Sequence, residues 1–139
     1  MSYLLDTNVV SELRKSSARI DANVAAWAAP LDMEQQFLSA ITIFEVELGI
    51  RQVERRDVTQ AALLWRWFDR AVLDGFQSRI LPVDRDVARL AARLHVPDPR
   101  PERDAFIAAT ALAHGLTVAT RNVADFESSG AAIFDPWAH

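Results

Sequence analysis

No cysteine occurs among the 139 residues. That absence excludes disulfide scaffolds, thiol nucleophiles and cysteine-ligated zinc, and it fits a reducing, cytoplasmic setting. Histidine is nearly as scarce: His95, His114 and His139 stand far apart without ligand spacing, and none is assigned to a site. Long apolar runs are missing too, so nothing approaches the roughly 18 residues of a membrane span. The opening Met1-Ser2-Tyr3-Leu4-Leu5-Asp6 has no basic stretch ahead of its apolar residues and meets an acid at once, unlike a signal peptide. An excess of positive charge is absent as well. Fifteen Lys and Arg face nineteen Asp and Glu, for a net charge of −4. This counts against a broad basic face coating nucleic acid, although bound metal ions would alter the balance.

What is present has ordinary globular composition, with 50% hydrophobic and 24% charged residues. The length suits one domain over 1–139, with no repeat, low-complexity segment or dividing linker. Short apolar runs alternate with longer amphipathic ones, which predicts an α/β domain around a mainly parallel sheet. Strands are expected at Tyr3-Leu4-Leu5, Phe37-Leu38-Ser39, Ile80–Val83, Leu116–Ala119 and Ala132-Ile133-Phe134. Pro82 points to an edge or end position for the third. Asp21 can cap a helix that Pro30 ends, and Thr42 is placed to open the helix carrying Glu45. A long helix over about 59–74 is expected to stop at Gly75. Pro97, Pro99 and Pro101 make 97–101 an extended loop. Pro101 then suits the first helical position of a segment running to His114 and Gly115.

Ligands of open parallel sheets bind at the carboxyl ends of strands. Asp6 directly follows the first strand, Glu45 lies in the helix after the second, and Asp104 lies in the first turn opened by Pro101. Each alone has a structural explanation. Asp6 can cap a helix, Thr42-x-x-Glu45 fits a capping box, and Asp104 complements a helix dipole. Jointly they form a carboxylate cluster, which raises its own pKa values unless a cation compensates. Oxygen ligands without histidine or cysteine select hard ions, Mg²⁺ or Mn²⁺. Such ions activate water and neutralise charge in phosphoryl transfer. A further polar cluster, Thr120-Arg121-Asn122-Val123-Ala124-Asp125, follows the last confident strand; it is either part of the same site or a polar turn.

These segments together resemble the PIN-domain ribonucleases, in particular the VapC toxins of bacterial toxin–antitoxin pairs. The carriers are Tyr3–Glu12, Ile43–Gly49, Arg103–Leu112 and Ala119–Phe126, in the family's order and spacing. The ending Asp135-Pro136-Trp137 is similar to the FitB-like branch. The resemblance implies a three-layer α/β/α sandwich and a Mg²⁺- or Mn²⁺-dependent endoribonuclease toxin, inhibited by a cognate VapB-like, DNA-binding antitoxin. It also implies a homodimer and toxin–antitoxin hetero-oligomers, and no membrane association. Asp6, Glu45 and Asp104 match the family's acidic positions, with Asp6, Asp104 and Glu45 as the metal ligands. Thr7 and Thr120 match supporting hydroxyls, and Asn8 matches the polar residue beside the first acid. Many relatives carry an aspartate where this chain has Asn122. Either Asp125 takes that role or the site works with three carboxylates and an amide.

Arg14, Lys15 and Arg103, close in sequence to the acids, are the phosphate-binding candidates for an RNA substrate. Arg51, Arg55 and Arg56 read as a solvated basic face or an RNA contact. Trp65, Trp67 and Phe68 cannot all enter one core from one helix, so that helix is either buried on two sides or a partner surface. Two other readings follow from the sequence. A phosphotransfer domain fits poorly, because Asn8 stands where a second aspartate would be needed and Thr120-Arg121 where a lysine would. A catalytically weak module of the same fold, acting with its antitoxin on DNA, is the alternative.

Overall fold

Alternation along the first strand sets the architecture. The structure, a computed structural model, describes residues 1–138; His139 lies outside the described residues. In β1 (Tyr3–Leu5), Tyr3 and Leu5 enter one apolar cluster and Leu4 the other, as the two-residue period of a strand requires. The strand is therefore buried on both faces and sits at the centre of the sheet. Its neighbours are β2 (Gln36–Ser39) and β4 (Thr117–Ala119), and the edges are β3 (Ile80–Leu81) and β5 (Ile133–Phe134). The order is β3-β2-β1-β4-β5 and every pairing is parallel. Leu4 lies opposite both Phe37 and Val118, which fixes the central register. Pro82 follows an edge strand, as expected.

Helices α1 (Thr7–Leu13), α2 (Ala22–Ala28), α3 (Ala40–Glu54) and α4 (Val58–Trp67) cover one face. Their core contribution includes Val9, Val10, Trp27, Val46 and Ile50. The rings of Tyr3, Trp27 and Phe134 stand 5.1–6.0 Å apart and tie α2 and β5 to β1. On the other face, α6 (Glu102–His114) packs Ile107, Ala108 and Ala111 against Leu4 and Val118. Its opposite side receives α5 (Arg85–Leu94) through Val87, Ala91, Ala105 and Ala109. The short α7 (Val123–Phe126) closes that layer with Phe126. This is the parallel α/β domain that the alternating pattern predicted, in the three-layer α/β/α form that the resemblance implied.

Several local expectations change. Helix α3 begins two residues before Thr42, with Ser39 as its cap; the Ser39 hydroxyl accepts from the Ile41 N–H at 3.0 Å. Thr42 is instead fully buried, and the capping-box account of Glu45 falls. Pro101 is the cap before α6 rather than its first residue. Helix α4 stops at Trp67, and 68–74 continue as a wider π-helical turn. Gly75 does end that segment, but with right-handed φ −63°. A Cβ there would lie 2.3 Å from the Ala71 carbonyl oxygen, so glycine is required by close approach and not by a left-handed turn. Gly115, with φ +65°, is the left-handed stop expected after α6. Asp21 caps α2 through the N–H groups of Asn23 and Val24. Trp65 and Trp67 are partly buried against the core, beneath the guanidinium groups of Arg51 and Arg14.

The chain runs β1→β2→β3 toward one edge and returns to place β4 and β5 on the other side of β1. The topological switch therefore lies between β1 and β4, where a crevice opens at their carboxyl ends.

Candidate active site

Asp6 and Thr120 leave the two strands at that switch. The Asp6 N–H donates to Ala119 carbonyl across the strand pair at 2.9 Å, holding the two ends in step. The Asp6 carboxylate is buried. Oδ2 accepts the Thr120 hydroxyl at 2.7 Å, and Oδ1 accepts the Thr7 N–H at 2.8 Å. Asp6 is thus the cap of α1, but one cap bond accounts for only part of its surroundings. Thr120, itself fully buried, accepts from the Asn122 N–H at 2.9 Å. Asn8 spans the crevice: its Nδ2 lies 3.4 Å from the Thr120 hydroxyl, and its Oδ1 accepts from the Arg121 N–H at 3.4 Å.

Glu45 reaches this crevice from α3. Its Oε1 accepts the Thr7 hydroxyl at 2.7 Å, and its Oε2 lies 3.6 Å from Nη1 of Arg103. Asp104 stands in the first turn of α6. Burial pushes its carboxyl up to about 6, with further increments from the charges of Asp125, Asp6 and Glu45. Burial also raises Asp6, against the hydrogen bonds from Thr120 and Thr7, and the charges of Glu45 and Asp125 add to the rise. Asp6, Glu45, Asp104 and Asp125 therefore form one electrostatic cluster drawn from α1, α3, α6 and α7. Asp125, exposed on α7, is the fourth acid felt by the others. Asn122 is the cap position of α7, makes no side-chain capping bond, and meets the crevice through its backbone.

The donor set is all oxygen and short of positive charge, which fits a hard divalent cation. Among the described residues no three His, Cys, Asp or Glu side chains form a ready-made cage.

The basic candidates separate. Arg103 touches Glu45. Arg14 lines a cleft shared with Thr7, Glu45 and Trp67, and stacks over the Trp67 ring. Lys15 is engaged elsewhere, 2.8 Å from Oε1 of Glu12. Glu12, buried, also accepts the Asp21 N–H at 2.8 Å, and these hydrogen bonds hold its pKa below the usual carboxylate value. Glu12 therefore anchors the α1–α2 connection, a role the sequence did not disclose. Phe44, beside Glu45, was also missed. Its only signal is helical phase, since it falls outside the buried stripe of Thr42, Val46 and Ile50.

Carboxylates from separate segments, with Asp6 buried among them, meeting at the switch of a parallel α/β/α sandwich define a class of acid-cluster domains. The family profile described as PIN domain matches residues 3–128, and the chain belongs to that family. It is 39% identical over 142 residues to "VapC ribonuclease Y4jK" of Sinorhizobium fredii, covering 96% of each chain. It is 36% identical to "Toxin FitB" of Neisseria gonorrhoeae, covering 96% of this chain and 97% of that one. Among solved structures, one described as "Structure of FitAB bound to IR36 DNA fragment" superposes with a TM-score of 0.89 at 34% identity, covering 99% of this chain and 96% of that chain.

Proposed function

We propose that this chain is the ribonuclease toxin of a toxin–antitoxin pair, a divalent-cation-dependent endoribonuclease silenced by a cognate DNA-binding antitoxin. The observation that carries the reading is the meeting of Asp6, Glu45, Asp104 and Asp125 at one crevice, with Asp6 and Asp104 both raised. The relative named as a VapC ribonuclease supports the RNA substrate, and the one named as toxin FitB supports the toxin role. The DNA-bound FitAB complex supports assembly with a partner and contact of that assembly with DNA.

Asp6 and Asp104 would hold the cation, Mg²⁺ or Mn²⁺ in its place, with Glu45 joining through water. When bound, that cation supplies an acidified water and neutralises charge on the phosphate. The chain's own groups do the rest. Thr120 and the Thr7 N–H orient the Asp6 carboxylate from opposite oxygens. Asn8 keeps Thr120 and the 121–122 backbone in register across the crevice. The Thr7 hydroxyl steadies Oε1 of Glu45, the group placed to take up the attacking water's proton. Asp125 adds negative charge that favours the cation. In-line attack on a phosphodiester would leave a 5′ phosphate and a 3′ hydroxyl.

The test incubates partner-free protein with total cellular RNA in Mg²⁺, Mn²⁺ or EDTA, beside Asp6→Asn and Asp104→Asn variants. Discrete, metal-dependent cleavage that both substitutions abolish is expected. Cleavage that survives both substitutions would overturn the site assignment. A folded wild-type protein that cleaves nothing in any metal would overturn the enzyme and favour a binding module of the same fold.

A further inference from the structure

Phe44 is misplaced for a core residue. The inward stripe of α3 is Thr42, Val46 and Ile50, and the Phe44 ring is 52% exposed, immediately before Glu45. Above the ring lies the Arg103 guanidinium, with Cζ 4.9 Å from the centroid. The same guanidinium reaches Oε2 of Glu45 at 3.6 Å. Ala40, Ile43 and Leu48 continue the apolar surface from Phe44 as an open groove of about 390 Å³. A flat aromatic face, a half-exposed cation and the acid cluster thus adjoin.

We propose that Phe44 and Arg103 form a nucleobase-stacking subsite for single-stranded RNA, in which Arg103 exchanges Glu45 for a backbone phosphate as RNA enters. The inference rests on the ribonuclease reading above. Three physical points lead to it. First, 3.6 Å is beyond hydrogen-bonding distance, and both partners of the pair retain solvent exposure, 49% for Arg103 and 22% for Glu45. Such a pair holds weakly. A phosphodiester offers two anionic oxygens to the guanidinium fork and displaces it readily. Second, unstacked bases are recognised on aromatic rings and on guanidinium planes, and here the two are stacked together. A duplex keeps its base faces within its own stack and cannot use this platform. Third, a base on Phe44 sets its phosphate beside Glu45, the adjacent residue. Once Arg103 departs, the Thr7 hydroxyl still holds Oε1 of Glu45, so substrate entry frees the other carboxylate oxygen for the reaction.

The test measures binding by fluorescence anisotropy, using a labelled mixed-sequence single-stranded RNA of about 12 nucleotides. The cleavage-silenced Asp6→Asn protein is compared with the same protein carrying Phe44→Leu, Phe44→Tyr, Arg103→Gln or Arg103→Lys, each checked for an unchanged thermal transition. Loss of aromatic stacking predicts about tenfold weaker binding for Phe44→Leu and near-parental binding for Phe44→Tyr. Loss of a phosphate contact predicts that Arg103→Gln lowers the slope of log affinity against log salt by about 0.7, with Arg103→Lys largely restoring it. A blunt-ended duplex RNA should not distinguish Phe44→Leu from its parent. Equal affinity of Phe44→Leu and parent for the single strand would overturn the subsite. So would a change in molecular mass by light scattering in Phe44→Leu, which would make this face a contact between copies. Cleavage of total RNA by the wild-type chain is measured in parallel. If it cleaves while Phe44→Leu binds normally, the subsite alone fails; if it neither cleaves nor binds RNA, the ribonuclease reading fails with it.

Discussion

Replacing Asp104 by asparagine should make the metal-free protein more stable, although it removes a proposed ligand. The carboxyl is pushed up to about 6 from 3.8, first by burial and then by Asp125, Asp6 and Glu45. Because the native state binds this proton more tightly than the unfolded chain does, protonation stabilises the fold. That contribution is complete below about pH 4 and is lost as pH rises through 6. At pH 8 the ionised group therefore opposes folding. Fully transmitted, a shift of about two units corresponds to about 3 kcal/mol. Asp104 is only half-buried, and solvent screening reduces the expected gain to about 1 kcal/mol. For a domain of this size that is a rise in Tm of about 3 °C. Thermal unfolding followed by circular dichroism, in EDTA at pH 8 and at pH 4.5, separates the cases. Asp104→Asn should unfold at higher temperature at pH 8 and show a much smaller advantage at pH 4.5. Added Mg²⁺ at pH 8 should stabilise the wild type and leave the variant nearly unmoved. An Asp104→Asn protein no more stable at pH 8, or equally stabilised at both pH values, would refute the electrostatic account of the cluster.

Thr120→Val removes the hydroxyl that donates to Asp6 and accepts from the Asn122 N–H. It should lower stability by about 1–3 kcal/mol in urea unfolding and weaken Mg²⁺ binding by calorimetry, because Asp6 loses its closest hydrogen bond. Glu12→Gln should destabilise the fold by about 1 kcal/mol at pH 7, by loss of charge-assisted bonds to Lys15 and the Asp21 N–H. Since the Glu12 pKa is lowered on folding from 4.5, its contribution is present above that value and lost as pH falls below it. The gap in Tm between the two proteins should therefore narrow as pH falls below 4.5. Gly75→Ala sets a Cβ 2.3 Å from the Ala71 carbonyl and should lower stability by about 1–3 kcal/mol, measured by chemical denaturation.

Much of this molecule is legible from local chemistry. The strand Tyr3-Leu4-Leu5 declares itself by apolar continuity, and Asp6 by an acid set directly behind it. Asp21 and Gly115 act within one or two residues of their own position, through a capping carboxylate and a left-handed φ, so sequence alone locates them. The prolines at 97–101 end one helix and precede the next for the same reason. Asp6 and Asp104 are equally visible, since one lies just past a strand and the other in a first helical turn.

What sequence leaves open depends on atoms distant along the chain. Ser39 rather than Thr42 caps α3 because the strand runs directly into the helix, leaving Thr42 to be buried beneath it. Glycine at 75 answers to the path of a π-helical turn and its crowded Ala71 carbonyl, which no local periodicity encodes. Lys15 and Arg103 are alike as basic residues near acids. Only packing commits the first to Glu12 and lays the second across Phe44 and Glu45. The electrostatics of the site are likewise tertiary. Asp6, Glu45, Asp104 and Asp125 are ordinary acids in their own segments. The pKa values of Asp6 and Asp104 rise where the parallel sheet draws these acids to one crevice, because burial and mutual repulsion act through space and not along the chain.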